Sequence, residues 1–97
     1  MALGVATTSG LKTADGVVAS LPAKIHSVVL AGGSDASSVI VYDNASAASG
    51  TVLVKLVAVA GDCQIYHSPN GLMCNNGIYV DVSGTGVGVT VHYELSG

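Results

Sequence analysis

GIYVDVSGTGVGVTVHYEL, residues 77–95, carries two runs of alternating apolar residues on either side of a glycine-rich break. With the turn at Ser83–Gly86, Val82 faces Val87, Val80 faces Val89 and Ile78 faces Val91. Side chains alternate with period two, so all six share one face and every cross-strand partner is apolar. On the other face Asp81 meets Gly88 and Tyr79 meets Thr90. A slip of one residue would turn one strand's valines outward, which fixes the register. The stretch is expected to form a β-hairpin with one buried face.

The glycines invite a different reading, as a phosphate-binding loop. A dinucleotide fingerprint needs G-x-G-x-x-G between a strand and a helix, so that phosphate meets the helix N-terminus. Gly84 and Gly86 fill the first two positions, but Val89 stands at the third. The residues from Val89 onward, VTVHYE, alternate like a strand, and Gly-Lys-Ser/Thr occurs nowhere in the chain. The run reads as a turn, where glycine reaches positive φ without steric cost.

The same grammar extends over the rest of the chain. There are 16 valines and four isoleucines, and very few of the Glu, Lys, Gln and Arg residues that usually fill helices. Branched side chains lose rotamer freedom in helices and fit a pleated sheet. Candidate strands are Gly16–Ser20, Ala23–Ala31, Ser38–Asp43, Thr51–Val59, Cys63–His67, a stub at Leu72–Cys74, Gly77–Val82 and Val87–Leu95. Turn residues punctuate them at the rhythm of a sandwich or barrel. The expected fold is all-β, an antiparallel β-sandwich, jelly-roll-like, of about seven to eight strands. Residues 1–20 lack a clear period and are expected as a frayed segment or an N-terminal arm ordered against a neighbour; residues 21–97 form the β-sandwich domain.

Ninety-seven residues allow one modest core. Hydrophobic residues make up 49% of the chain and charged residues 9%, which excludes disorder. Lys12, Lys24 and Lys55 are the only fixed cations on a chain of net charge −3. That is too few to neutralise phosphates, so no nucleic acid is expected as a partner, nor an anionic membrane surface. No apolar run spans a bilayer and no signal peptide is evident, so use without Sec-type export is expected. A surface so poor in charge suits packing against copies of itself or a scaffold, since soluble domains usually carry about 25–35% charged residues there.

The candidate chemistry is sparse. His92 and Glu94 project from one face at i and i+2, and His67 is the obvious third ligand, but lone strand histidines are mostly surface or rim residues. Cys63 and Cys74 form no C-x-x-C, and neither register about the SPNG turn at Ser68–Gly71 brings them together. Asp15, Asp35, Asp43, Asp62, Asp81 and Glu94 fall mostly at turns and strand ends, where carboxylates cap backbone groups. There is no G-x-S-x-G elbow. No catalytic residue, cofactor-binding residue or metal ligand is therefore assigned, no cofactor is expected, and the chain reads as a non-enzyme. Of the four tyrosines, Tyr79 points to the polar face and is a candidate contact residue.

The run from LPAKIHSVVLAGG at Leu21 to the end resembles small all-β virion proteins of tailed bacteriophages. Capsid decoration (cement) proteins of cyanobacterial phages are the nearest in pattern. The resemblance rests on YDNASAASGTVL at Tyr42–Leu53 and GIYVDVSGTGVGVTVHY at Gly77–Tyr93, and it leaves the N-terminal arm unmatched. It implies a β-sandwich homotrimer on the capsid exterior, assembled in the host cytoplasm, that binds the major capsid protein across capsomer joints. No catalytic residues carry over. The alternative expectation is a tail- or fibre-associated module that binds a glycan.

Overall fold

The computed structural model describes residues 7–95. Eight strands succeed one another along the chain: β1 (Thr7–Thr8), β2 (Gly16–Ala19), β3 (Ala23–Ala31), β4 (Ser37–Tyr42), β5 (Val52–Ala58), β6 (Cys63–Cys74), β7 (Ile78–Ser83) and β8 (Gly88–Leu95). They form two four-stranded sheets, sheet I in the order β1-β8-β3-β6 and sheet II in the order β2-β7-β4-β5. All pairings are antiparallel. β1 pairs with β8, β2 with β7, β3 with β6 and β4 with β5, as in one long ribbon doubled over at its middle. Rolling that ribbon brings β8 against β3 and β7 against β4. The result is an antiparallel β-sandwich with the strand order of a jelly roll.

The expected hairpin between residues 77 and 95 is corrected by this topology. β7 and β8 lie in different sheets and share no ladder. Val80 pairs with Val41 and Gly16, while Val89 pairs with Leu30. Ile78, Val80, Val89 and Val91 are all fully buried, as the alternation requires. They meet across the sandwich rather than side by side. Period two encodes which face is buried, and a hairpin and an inter-sheet corner satisfy it equally.

Residues 83–87 make that corner. Gly84 and Gly86 take φ of +127° and +73°, as a sharp change of sheet demands. The β3–β4 connection packs against it: Ser34 N donates to Thr85 O at 3.0 Å, and Thr85 N donates to Asp35 Oδ1 at 2.8 Å. The Thr85 hydroxyl donates to Asp35 Oδ2 at 3.1 Å. These bonds from Thr85, the backbone one foremost, hold the Asp35 carboxyl below its usual range. The β5–β6 connection joins the same end, with Gly32 N donating to Asp62 O and Gly61 N donating to Gly33 O. Three connections are thus locked together.

The core lies between the sheets. Ile25, Val28 and Leu30 of β3, Val39 and Val41 of β4, Ile78 and Val80 of β7, and Val89 and Val91 of β8 are fully buried. Each such side chain contributes about 1.5–3 kcal/mol relative to exposure. Tyr66, Leu72, Tyr93 and Leu95 close one side of the core, and Leu53, Leu56 and Val82 the other.

Two further expectations differ from the structure. The SPNG segment does not end a strand: β6 runs through it as a wide bulge, in which Ser68–Gly71 face only His26 between the pairs Ile25↔Leu72 and Ser27↔His67. β3 offers a continuous template on both sides, so the chain resumes the same partner after the interruption. Pro69, which has no N–H to donate, sits where the ladder is already broken. The N-terminal segment is also more integrated than an arm. Thr7 and Thr8 pair with Tyr93 and His92, Lys12 bridges to Val89, and β2 pairs with β7. Residues 1–6 lie outside the described residues.

Candidate functional site

Polar side chains gather on the outer face of sheet I. Thr8, His92, Ser27 and His67 form one cross-strand row through the pairs Thr8↔His92, His92↔Ser27 and Ser27↔His67. One step along, Lys24 lies between Glu94 and Met73. His26 stands between the two rows, because it is the extra residue of β3 between Ile25↔Tyr93 and Ser27↔His92. The bulge thereby brings all three histidines and the only glutamate of the chain to one face.

Their bonding follows the β3–β8 ladder rather than the i, i+2 spacing within β8. Glu94 Oε1 lies 2.7 Å from His26 Nε2, so its partner is neither His92 nor His67. His92 Nδ1 lies 3.0 Å from Ser27 Oγ. No three of the described histidines, cysteines and carboxylates converge as a metal-binding group. A Ser–His contact has two members of a nucleophile-and-base arrangement, but such a base needs a third group to orient it. Glu94, two residues from His92, is already engaged by His26. The cluster therefore works as two separate pairs. The His26–Glu94 pair keeps 30% and 17% side-chain exposure, and a contact so open to solvent is worth about 0–1 kcal/mol. His26 and Ser27 were missed as partners because their spacing to β8 emerges only once the β3–β8 ladder and its bulge are known.

Sheet II presents a different outer face. Val17, Tyr79, Tyr42 and Val52 form a row that crosses all four strands, through Val17↔Tyr79, Tyr79↔Tyr42 and Tyr42↔Val52. Tyr79 does point outward, as its alternation requires, and its neighbour is Tyr42 rather than Thr90. The next row holds Asp81, Ile40 and Lys55. Burial raises the Asp81 carboxyl above its ordinary value, and the neighbouring Asp15 carboxylate adds to the rise. Asp15 also accepts the backbone N–H of Val82 at 2.7 Å.

Other carboxylates tie connections together, as expected for turn positions. Asp43 accepts the N–H of Asn76 and Asp62 that of Cys63. The cysteines are both free and stand at opposite ends of β6, Cys63 exposed and Cys74 buried. Burial, with the Asp43 charge second, pushes the Cys74 thiol up to about 12.

Fold and surface together define a small jelly-roll sandwich with one histidine-bearing face and one tyrosine-bearing face. Among known proteins, no family model, curated protein or solved structure matches the chain.

Proposed function

We propose that this chain is a non-enzymatic virion structural protein that decorates a phage capsid and stabilises it by binding across capsomer joints. The observation that supports this reading is the exposure of large apolar side chains around the edge where β5 and β6 adjoin. Val57 is 58% exposed, Val59 67% and Ile65 63%, on an otherwise weakly charged surface. A neighbouring subunit that covers them would gain about 25 cal/mol per Å² of apolar area removed from water. Binding only to the assembled shell stabilises that shell by mass action. In this reading the protein sits on the capsid exterior as a homotrimer, with the major capsid protein as its partner. Co-sedimentation with purified tailless heads tests it, with light scattering giving the oligomeric state. Binding to heads supports the proposal, and a monomer that stays in the supernatant overturns it.

The side-by-side pair Tyr42 and Tyr79 favours a second reading, a tail- or fibre-associated module that binds a glycan. Their rings could stack on sugar faces while Asp15 and Asp81 accept hydroxyl protons. Such a module would bind oligosaccharide and leave tailless heads bare.

A further inference from the structure

The SPNG segment lies outside the core, beside Lys24 and His26, and it carries one of the chain's two Asn-Gly steps, Asn70-Gly71; the other is Asn76-Gly77. We propose that Asn70 is a site of spontaneous covalent modification in the folded protein, converted through a succinimide to an aspartyl or isoaspartyl residue, and that Asn76 is protected. This inference stands independently of the capsid reading.

The chemistry is intramolecular. The backbone nitrogen of residue n+1 attacks the side-chain amide carbon of Asn, a C–N bond forms, and the amide nitrogen leaves as ammonia. Water then opens the five-membered ring at either carbonyl, which yields aspartyl or isoaspartyl. Glycine at n+1 favours the attack because no Cβ shields its nitrogen.

The two sites share that sequence and an exposed Asn side chain, and differ in how firmly the surrounding backbone is held. Asn70 is exposed, its side chain makes no hydrogen bond among the described residues, and it lies among the four bulged residues of edge strand β6 that face only His26. Asn76 is held at two points: its backbone N donates to Asp43 Oδ1 at 2.8 Å, and its amide Nδ2 donates to Asp43 O at 3.5 Å. Gly77 is buried, and its α-carbon lies so close to Ala19 O and Asn44 O that a Cβ would stand 2.5 and 3.2 Å from them. Ring closure at Asn76 would have to move a backbone clamped between two connections. At Asn70 only a surface bulge has to move. The conversion places a new negative charge beside Lys24 and His26, whose side chains pack over Gly71.

The test is peptide mapping of the intact folded protein after incubation at mildly alkaline pH, with fragmentation that separates aspartyl from isoaspartyl. The same incubation in concentrated urea removes the structural difference. The folded protein is expected to convert at Asn70 at least about tenfold faster than at Asn76, the factor for retaining one hydrogen bond to a charged acceptor. In urea the two rates should converge. Asn70→Gln should abolish the acidic species that accumulates on isoelectric focusing. Conversion at Asn76 as fast as at Asn70 in the folded protein overturns the proposal. So does a folded protein in which neither site reacts while both react in urea.

Discussion

Replacing Gly33 by alanine tests the locked corner directly. An added Cβ would stand 1.8 Å from the Thr85 carbonyl oxygen and 2.7 Å from the Gly86 carbonyl carbon. Ordinary contact begins at 3.4 Å, so the β3–β4 and β7–β8 connections must part by roughly 1.6 Å. Both neighbours are backbone atoms, and no side-chain rotation relieves the clash. The movement breaks the bond from Ser34 N to Thr85 O and the bond from Thr85 N to the Asp35 carboxylate. Forcing an extra methyl into a packed site costs about 1–3 kcal/mol and the lost neutral Ser34–Thr85 bond adds about 1, which sets the cost of Gly33→Ala at about 2–4 kcal/mol. That is a large fraction of the roughly 5–15 kcal/mol that holds a domain together. Gly16→Ala is the matched control, because its Cβ would meet only the Lys12 ammonium nitrogen at 3.8 Å. Its effect should stay within about 0.5 kcal/mol. Urea unfolding followed by far-UV circular dichroism measures both, with midpoints compared at equal m. If Gly33→Ala unfolds within about 0.5 kcal/mol of the parent, the corners do not touch. Residues 83–86 would then be the free hairpin turn that the alternation suggests.

The cysteines should separate cleanly by reactivity: a maleimide labels Cys63 in the folded protein and reaches Cys74 only on unfolding, because Cys74 is buried with its thiol pushed up to about 12. Equal labelling of both in the native state would contradict the burial of the β6 end. The carboxylates Asp35 and Asp81 should shift acid stability in opposite senses. Asp35 is lowered in the fold, so its contribution is present above the unfolded value of 3.8 and disappears as pH falls through the folded value. Asp35→Asn should therefore lower the urea midpoint near about pH 7 and matter less in acid. Asp81 is raised, so its favourable contribution is complete below 3.8 and lost as pH rises through its folded value. Asp81→Asn should thus leave the midpoint near about pH 7 unchanged or slightly higher. A lower midpoint for Asp81→Asn at that pH would contradict the assignment.

Much of the architecture was readable in the alternation of valines. Every strand from Gly16 onward except β6 lies close to where apolar periodicity placed it, and Ala23–Ala31 matches residue for residue. The inward positions Ile78, Val80, Val89 and Val91 were equally legible. The neighbour of each strand was not, because alternation specifies a face and is silent about lateral partners. That is why residues 77–95 read as a hairpin and fold as a corner. The SPNG segment misled for a related reason: its composition announces a chain reversal, and only the presence of β3 alongside turns it into a bulge. The His26–Glu94 pair depends on that same bulged ladder, whereas spacing within β8 shows only that His92 and Glu94 share a face.

The doubled ribbon also bears on the order in which the molecule is made. β4 and β5 are joined by the shortest closure in the ribbon, the stretch from Asp43 to Thr51, and each later pair lies outside the one before. Once β4 and β5 meet, β3 and β6 are separated only by two short connections, and joining them costs little further loop entropy. β2 with β7 and β1 with β8 then close in the same way. Topology of this kind predicts a folding reaction that closes like a zip from the middle of the chain toward its ends. Truncation of Val41 or Val54 should slow folding, whereas disruption at Thr8 should mainly speed unfolding. Stopped-flow kinetics in urea would read the difference, and equal effects on the folding arm would refute the order. The pairing of β1 with β8 would then be the last part of the molecule to be secured and the first to be surrendered.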